Sequence, residues 1–221
     1  MIPGLDSPLI GSGTLPSISY IGFTVNITNQ QVYTFNSQSV GLAGNRKTIL
    51  GILSQDSAPD FSVSSVLVNG IAATSVVQST ATGSEALAAL YIIDNPTGTT
   101  ANIVVTFSES VASAALIIWA AYDLSSETPT DTENGFETAS AALTLSLNVA
   151  EFGVAAGVSC STADPETNTW VGFTERLDSA ANGEFSIGAA DYTATTAQTP
   201  LTVTSDWTGA NDAAGVSASF R

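Results

Sequence analysis

Short runs rich in Val, Ile, Thr and aromatic residues recur along this chain, each closed by Gly, Asn, Asp or Pro after about 8 to 12 residues. That spacing confines it to β structure. No stretch sustains the period of an amphipathic helix. The segment Phe61 to Val77 shows the rule most clearly. Phe61, Val63, Val66 and Val68 alternate, provided one irregularity at Ser64-Ser65 restores the register, as a β-bulge does. Asn69-Gly70 then supplies the two positive-φ positions of a type I′ turn, and Ile71 to Val77 is expected to return antiparallel.

The same reading assigns strands elsewhere. Tyr20 to Ile27 and Val32 to Phe35 form an expected first pair around Asn29-Gln30, and Thr48 to Leu53 follows. Glu85 to Ile93 suits a helix by propensity, but turn residues from Asp94 to Gly98, ahead of an obvious strand at Ala101 to Phe107, favour a strand. Val111 to Tyr122 is the most apolar segment and does not alternate, which predicts a strand covered on both faces. Leu124 to Gly135 is the longest polar interval and reads as an exposed loop or a crossover between sheets. Ala141 to Val149, Glu151 to Cys160, Thr169 to Thr174, Glu184 to Ala190, Leu201 to Thr204 and Gly215 to Phe220 complete the set, the last placing the C-terminus in the core. No repeat at a fixed period points to a solenoid or propeller. The expected fold is all-β: an antiparallel two-sheet sandwich, jelly-roll-like, over residues 20–221, preceded by an extended N-terminal arm, residues 1–19. Pro3, Pro8 and Pro16 bar the arm from a helix or a central strand. Its Ile2, Leu5, Leu9, Ile10 and Leu15 exceed what a solvated linker needs, so either a partner surface covers them or the terminus frays.

At 221 residues the chain suits one large β domain or two small ones, and a single domain of this length buries roughly 70% of its unfolded surface without help from disulfides. The one cysteine, Cys160, excludes an intrachain disulfide and a thiolate zinc cage, and reads as an inert core residue. Twenty acidic residues against four basic ones, Arg46, Lys47, Arg176 and Arg221, give a net charge of −16. Such a surface repels nucleic acid and favours solubility. Residues 1–19 lack the basic and apolar regions of a secretory signal, and no apolar run approaches a membrane span. Synthesis in a host cytoplasm, with no membrane partner, is therefore expected, and the sequon Asn26-Ile27-Thr28 reads as a chance match.

The chain has no histidine, which excludes imidazole acid/base chemistry and histidine metal sites. Carboxylates are what remain. Asp164, Glu166, Glu175, Asp178 and Glu184, near Trp170, Phe173 and Trp207, could flank a sugar cleft. Twenty acids spread over a sandwich also produce such groupings by chance, so no catalytic residue is assigned. Asp131, Glu133 and Asn134 before Gly135 share part of a calcium-loop pattern without its ligand ladder, and no metal or cofactor is expected. Trp170, Tyr192 and Trp207 are candidates for stacking on sugar rings or, as the commoner alternative, for core packing. Arg46, in GLAGNRK ahead of a strand, reads either as a contact to an acidic neighbouring subunit or as an intrachain pair; Lys47 reads as an edge or intrachain charge pair.

The stretches VGLAGNRKTIL (40–50), VSSVLVNGIAAT (63–74), NPTGTTANIVVTFS (95–108) and AGVSASFR (214–221) resemble small virion proteins of tailed bacteriophages, which are β-sandwich or jelly-roll modules displayed on heads or fibres. The likeness runs from about Val32 onward. It implies a non-enzymatic structural protein, foremost a capsid decoration (cement) protein on the capsid surface. Its implied partners are the major capsid protein and copies of itself in a trimer, with the terminal arm reaching a neighbour. The alternative is the carbohydrate-binding head domain of a tail fibre or head spike, using Trp170, Tyr192 and Trp207. The lack of heptads or a collagen-like run counts against a fibre shaft.

Overall fold

The computed structural model describes residues 14–57, 60–79, 85–95, 97–138, 142–162, 166–181, 183, 185–209 and 212–221. The first half of the chain contributes β1 (Ser17–Asn26), β2 (Gln30–Ser39), β3 (Arg46–Gln55), β4 (Val63–Val68), β5 (Ile71–Ala72), β6 (Thr74–Gln78), β7 (Ala86–Asp94), β8 (Thr100–Val111) and β9 (Ser113–Tyr122). They form one sheet in the order β1-β9-β3-β7-β6 and another in the order β2-β8-β4-β5. The second half contributes β10 (Asp131–Glu137), β11 (Ala142–Thr144), β12 (Leu147–Val149), β13 (Val154–Ser161), β14 (Asn168–Val171), β15 (Thr174–Ala180), β16 (Ser186–Thr193), β17 (Gln198–Leu201), β18 (Thr204–Trp207) and β19 (Ala213–Phe220). Here a sheet runs β10-β19-β13-β16-β15, and two ribbons, β11-β18-β14 and β12-β17, make the other layer. The Leu145 amide, donating to the Val203 carbonyl at 2.9 Å, ties the ribbons together. The ladders are antiparallel.

Three apolar cores separate four layers. The first-half outer sheet packs on β3, β7 and β9 through Tyr33, Phe35, Val66, Ile103 and Val105 against Leu50, Ile52, Leu116 and Ile118. The two five-stranded sheets then face each other across the largest core, where Ile49, Leu53, Leu90, Ile117 and Trp119 meet Val158, Cys160, Ile187, Val216 and Phe220. A third core, with Leu143, Leu145, Trp170, Phe173 and Trp207, lies under the ribbons. The expected all-β antiparallel sandwich is what the chain forms, built with four layers where the sequence reading counted two.

Burial explains the two kinds of strand in the sequence. Strand β8, with solvent on one side, alternates buried and exposed positions over most of its length. Strands β3, β9, β13 and β19 sit inside the stack and are buried almost throughout, so their sequences do not alternate. The doubly covered strand foreseen at Val111 to Tyr122 is β9, and the C-terminal strand β19 is central, as expected. The bulge expected at Ser64-Ser65 appears as a register shift between Val63 and Ser65. Asn69 and Gly70 adopt φ of 50° and 82°, closing the hairpin that pairs Val68 with Ile71.

Other expectations needed correction. Strands β1 and β2 do not pair: β1 joins β9 and β2 joins β8, in different sheets. The reason is that Ile18, Tyr20 and Val25 pack on the central core while Tyr33 and Phe35 pack on the outer one, so the chain changes sheet between them. Ile71 to Val77 divides for the same reason, β5 staying beside β4 and β6 crossing to β7. Part of the polar interval 124–135 is β10, a half-exposed edge strand whose polar side chains concealed it; the rest carries the chain from one sandwich to the other. Strand β1 starts at Ser17, so the last three residues of the expected arm belong to a sheet.

Candidate functional site

The residues proposed for sugar binding are committed to the third core. Trp170 stacks on Phe173 with ring centroids 6.2 Å apart and planes at 9°, and Phe173 stacks on Tyr192 at 6.1 Å and 8°. Gly157 of β13 makes the floor, since an added Cβ would stand 3.1 Å from Trp170 and 3.2 Å from Phe173. Trp170 and Trp207 are buried, and Tyr192, half-buried, closes the end of the stack. A sugar ring needs an open aromatic face, and neither tryptophan offers one.

The nearby carboxylates serve the fold. Strand β14 is a ribbon edge, and its amides need acceptors. Asp178 Oδ1 accepts from the Asn168 amide at 3.0 Å, and Glu175 Oε2 accepts from the Trp170 amide at 3.4 Å. Glu166 Oε2 accepts from Ser161 Oγ at 2.6 Å. Asp164 and Glu184 lie outside the described residues. Asp131, the first residue of the calcium-like stretch, opens β10 and accepts from the Asn148 amide at 2.7 Å and Asn148 Nδ2 at 2.8 Å, which fastens β10 to β12.

Arg46 is fully buried, so it is not a subunit contact. Its Nη1 donates to the carbonyls of Gly41 at 2.7 Å, Leu42 at 2.8 Å and Gly98 at 3.1 Å, and its Nη2 to Thr97 at 3.1 Å. The planar fork thus joins two loops at one end of the first sandwich, a role that backbone acceptors fill in place of the expected carboxylate. Lys47 sits 4.0 Å from an exposed Asp94, a weak surface pair.

Sequence reasoning missed a polar clasp across the central core. Asp191 of β16 is buried; its Oδ2 accepts from Trp119 Nε1 at 3.2 Å and from Arg176 Nε at 2.9 Å, and its Oδ1 accepts from Arg176 Nη2 at 2.9 Å. The hydrogen bond to Asp191 raises the pKa of Arg176, favouring the charged guanidinium. Trp119 belongs to the first half and Asp191 to the second, so this bond pins the sandwiches in register. Spacing in sequence gives no hint of it, because 72 residues separate the partners. Cys160 is buried in the same core, and burial pushes its thiol up to about 12, which keeps it protonated and inert.

The described surface also leaves apolar side chains in solvent. Leu15, Phe23, Ile27, Val32 and Leu42 are between 43% and 74% exposed, five of the seven large apolar side chains left in solvent. They lie on or beside β1 and β2, Leu42 following Gly41, where an added Cβ would touch Ile21 of β1 at 3.2 Å. Ile2, Leu5, Leu9 and Ile10, the other apolar contacts foreseen for the arm, fall outside the described residues. From Ser7 to Gln55 the chain has no acidic residue, in a protein that carries twenty. Exposed apolar side chains gathered in an acid-free part of the sequence suit a contact surface.

Fold and surface together define a class: a four-layer antiparallel β-sandwich protein with exposed apolar side chains on and beside β1 and β2. No protein-family model matches this chain, and no curated protein matches it.

Proposed function

We propose that this is a non-enzymatic structural protein of a tailed-phage virion, a capsid decoration protein that binds the outer capsid lattice and stabilises the head. One observation carries the reading: the chain buries Trp119, Trp170 and Trp207 in a four-layer scaffold and presents uncharged, partly exposed apolar side chains on and beside β1. If β6 and β15 are set aside as additions, the first half is two four-stranded sheets, β1-β9-β3-β7 facing β2-β8-β4-β5, an eight-strand arrangement that supports the jelly-roll reading. The second half follows it with its second and seventh strands each broken in two and its fifth missing. Jelly rolls serve viral capsids and lectins alike, and the burial of Trp170 and Trp207 favours the capsid reading over a lectin-like one. Decoration is mechanical work: apolar area closed over lattice junctions, at about 25 cal/mol per Å², opposes expansion of the shell.

Quantitative mass spectrometry of purified particles, normalised to the major capsid protein, tests the proposal. Hundreds of copies per particle are expected. A few copies would move the protein to a spike or tail, and absence from particles would end the reading. The arm is tested by deleting residues 1–13, a cut that spares β1; the truncated chain should fold and fail to bind heads.

A further inference from the structure

Sheet edges expose unpaired amides and carbonyls, and proteins guard them with charge, short length or cover. In the two central sheets β10 carries Asp131, Glu133 and Glu137, β15 carries Glu175, Arg176 and Asp178, and β6 is only five residues long. Strand β1 has none of these guards. It is ten residues long, carries no charge and, among the described residues, has a strand neighbour, β9, on one side only. Its single irregularity, between Tyr20 and Gly22, leaves Gly22 to Asn26 as a regular stretch. Phe23 shares the face of Tyr20 and Val25, which pack on the central core, yet it is 43% exposed.

We infer that β1 is a self-association edge: two copies of this chain pair antiparallel through Gly22–Asn26 about a two-fold axis, joining their five-stranded sheets into one of ten strands. Charge selects the occupant. An acidic partner would need free cations here, but Arg46 is buried on backbone carbonyls, Lys47 lies beside Asp94, and Arg176 is paired with Asp191, which also holds the Trp119 ring packed on Tyr20. A basic partner would be drawn to the acidic surface elsewhere. For a second copy at net charge −16, the acid-free region from Ser7 to Gln55 is where close approach meets least repulsion. Asp123, beside the partner of Ser17, and Glu109, near the partner of Gln30, flank the strip at its ends. Identical edge strands answer each other's hydrogen bonds, and Phe23 of both copies closes over the seam.

Sedimentation velocity of the full chain from about 1 to about 100 µM tests this, with hydrogen exchange at both ends of the range. A monomer–dimer equilibrium is expected, with amides of Gly22–Asn26 gaining protection as concentration rises. Phe23→Lys should weaken association about a hundredfold, because each dimer loses two rings and gains two facing cations, while circular dichroism and melting stay as in the parent. Val171→Lys, at an exposed site on β14, should leave the dimer intact. A chain that stays monomeric throughout, forms trimers, or dimerises equally well with Lys at position 23 overturns the inference. The edge is argued from the chain alone, so its failure and that of the capsid reading are independent.

Discussion

Gly51 sits in β3 where the two central sheets face each other, and a methyl group there has nowhere to go. Its Cβ would lie 2.5 Å from Val158 Cγ1 and 3.3 Å from both Ile117 Cβ and Trp119 Cζ3. Carbon atoms prefer roughly 3.5–4.0 Å, so either the sheets separate by about 1 Å or Val158 leaves its rotamer, which β-branching resists. Overpacking of this kind costs about 1–3 kcal/mol. Loss of glycine's freedom in the unfolded chain returns about 0.4–1 kcal/mol, since no positive φ at Gly51 opposes alanine. The net loss for Gly51→Ala is about 1.5 kcal/mol, a fall in Tm of about 3–6 °C for a chain of this size. Val158→Ala alone should cost about 2 kcal/mol by removing buried methyls. In the double variant the new methyl occupies the vacated space, so the two losses should fall short of additivity by at least about 1 kcal/mol. Urea titrations of the four proteins close the cycle. A Gly51→Ala protein as stable as the parent, or strict additivity, would refute the packing of β3 on β13.

Three further perturbations bear on the clasps. Arg46→Ala leaves four carbonyls without their donor and should cost about 3–5 kcal/mol in urea titration; Arg46→Lys, which keeps the charge and loses the fork, should recover only part of that. Asp191→Ala strips Trp119 Nε1 of its acceptor and should cost about 2–4 kcal/mol, with a shift in tryptophan emission reporting the altered contact between the sandwiches. Burial raises the Cys160 thiol from 9.0 to about 12, so the unfolded chain releases this proton first. The stabilisation is complete below about pH 9 and lost as pH rises toward 12, and a Cys160→Ala variant should have a flatter denaturation profile across that window. Equal slopes for the two proteins would place the alkaline sensitivity elsewhere.

Local chemistry was legible in the sequence and long-range arrangement was not. The bulge at Ser64-Ser65 and the Asn69-Gly70 turn are decided by residues within reach of each other, so alternation and positive-φ preference suffice. The cover on both faces of β9 was legible too, because an unbroken apolar run has no solvent side. What covers it is another matter. The partners of Trp119 and Gly51 are Asp191 and Val158, which only tertiary folding brings near. Strands β10 and β15 escaped notice because they are polar edges, the place where hydrophobic periodicity carries least signal. The choice between sugar stacking and core packing for Trp170 and Trp207 was likewise open in the sequence, since a buried and an exposed tryptophan have the same letter; the two are buried in the third core, Trp170 over Gly157 and against Phe173.

The two halves follow one plan although no fixed-period repeat shows in the sequence. Strands β1, β9, β3, β7 and β6 occupy the places taken by β10, β19, β13, β16 and β15, and the sheets so matched are the ones that pack together. The same strand plan thus occurs twice, face to face, within one chain. In a dimer of identical subunits a strand near the axis meets its own copy, so a bulky residue there meets itself. Two halves of one chain are free of that constraint, and the central contact differs on its two sides: β3 offers Gly51 where β13 offers Val158. The same freedom applies at the edges. Strand β10 carries acids, whereas β1, its counterpart, is left neutral and open. One half of the plan is closed to further pairing and the other is not, so a protein built from an internal pair keeps one edge for an external one.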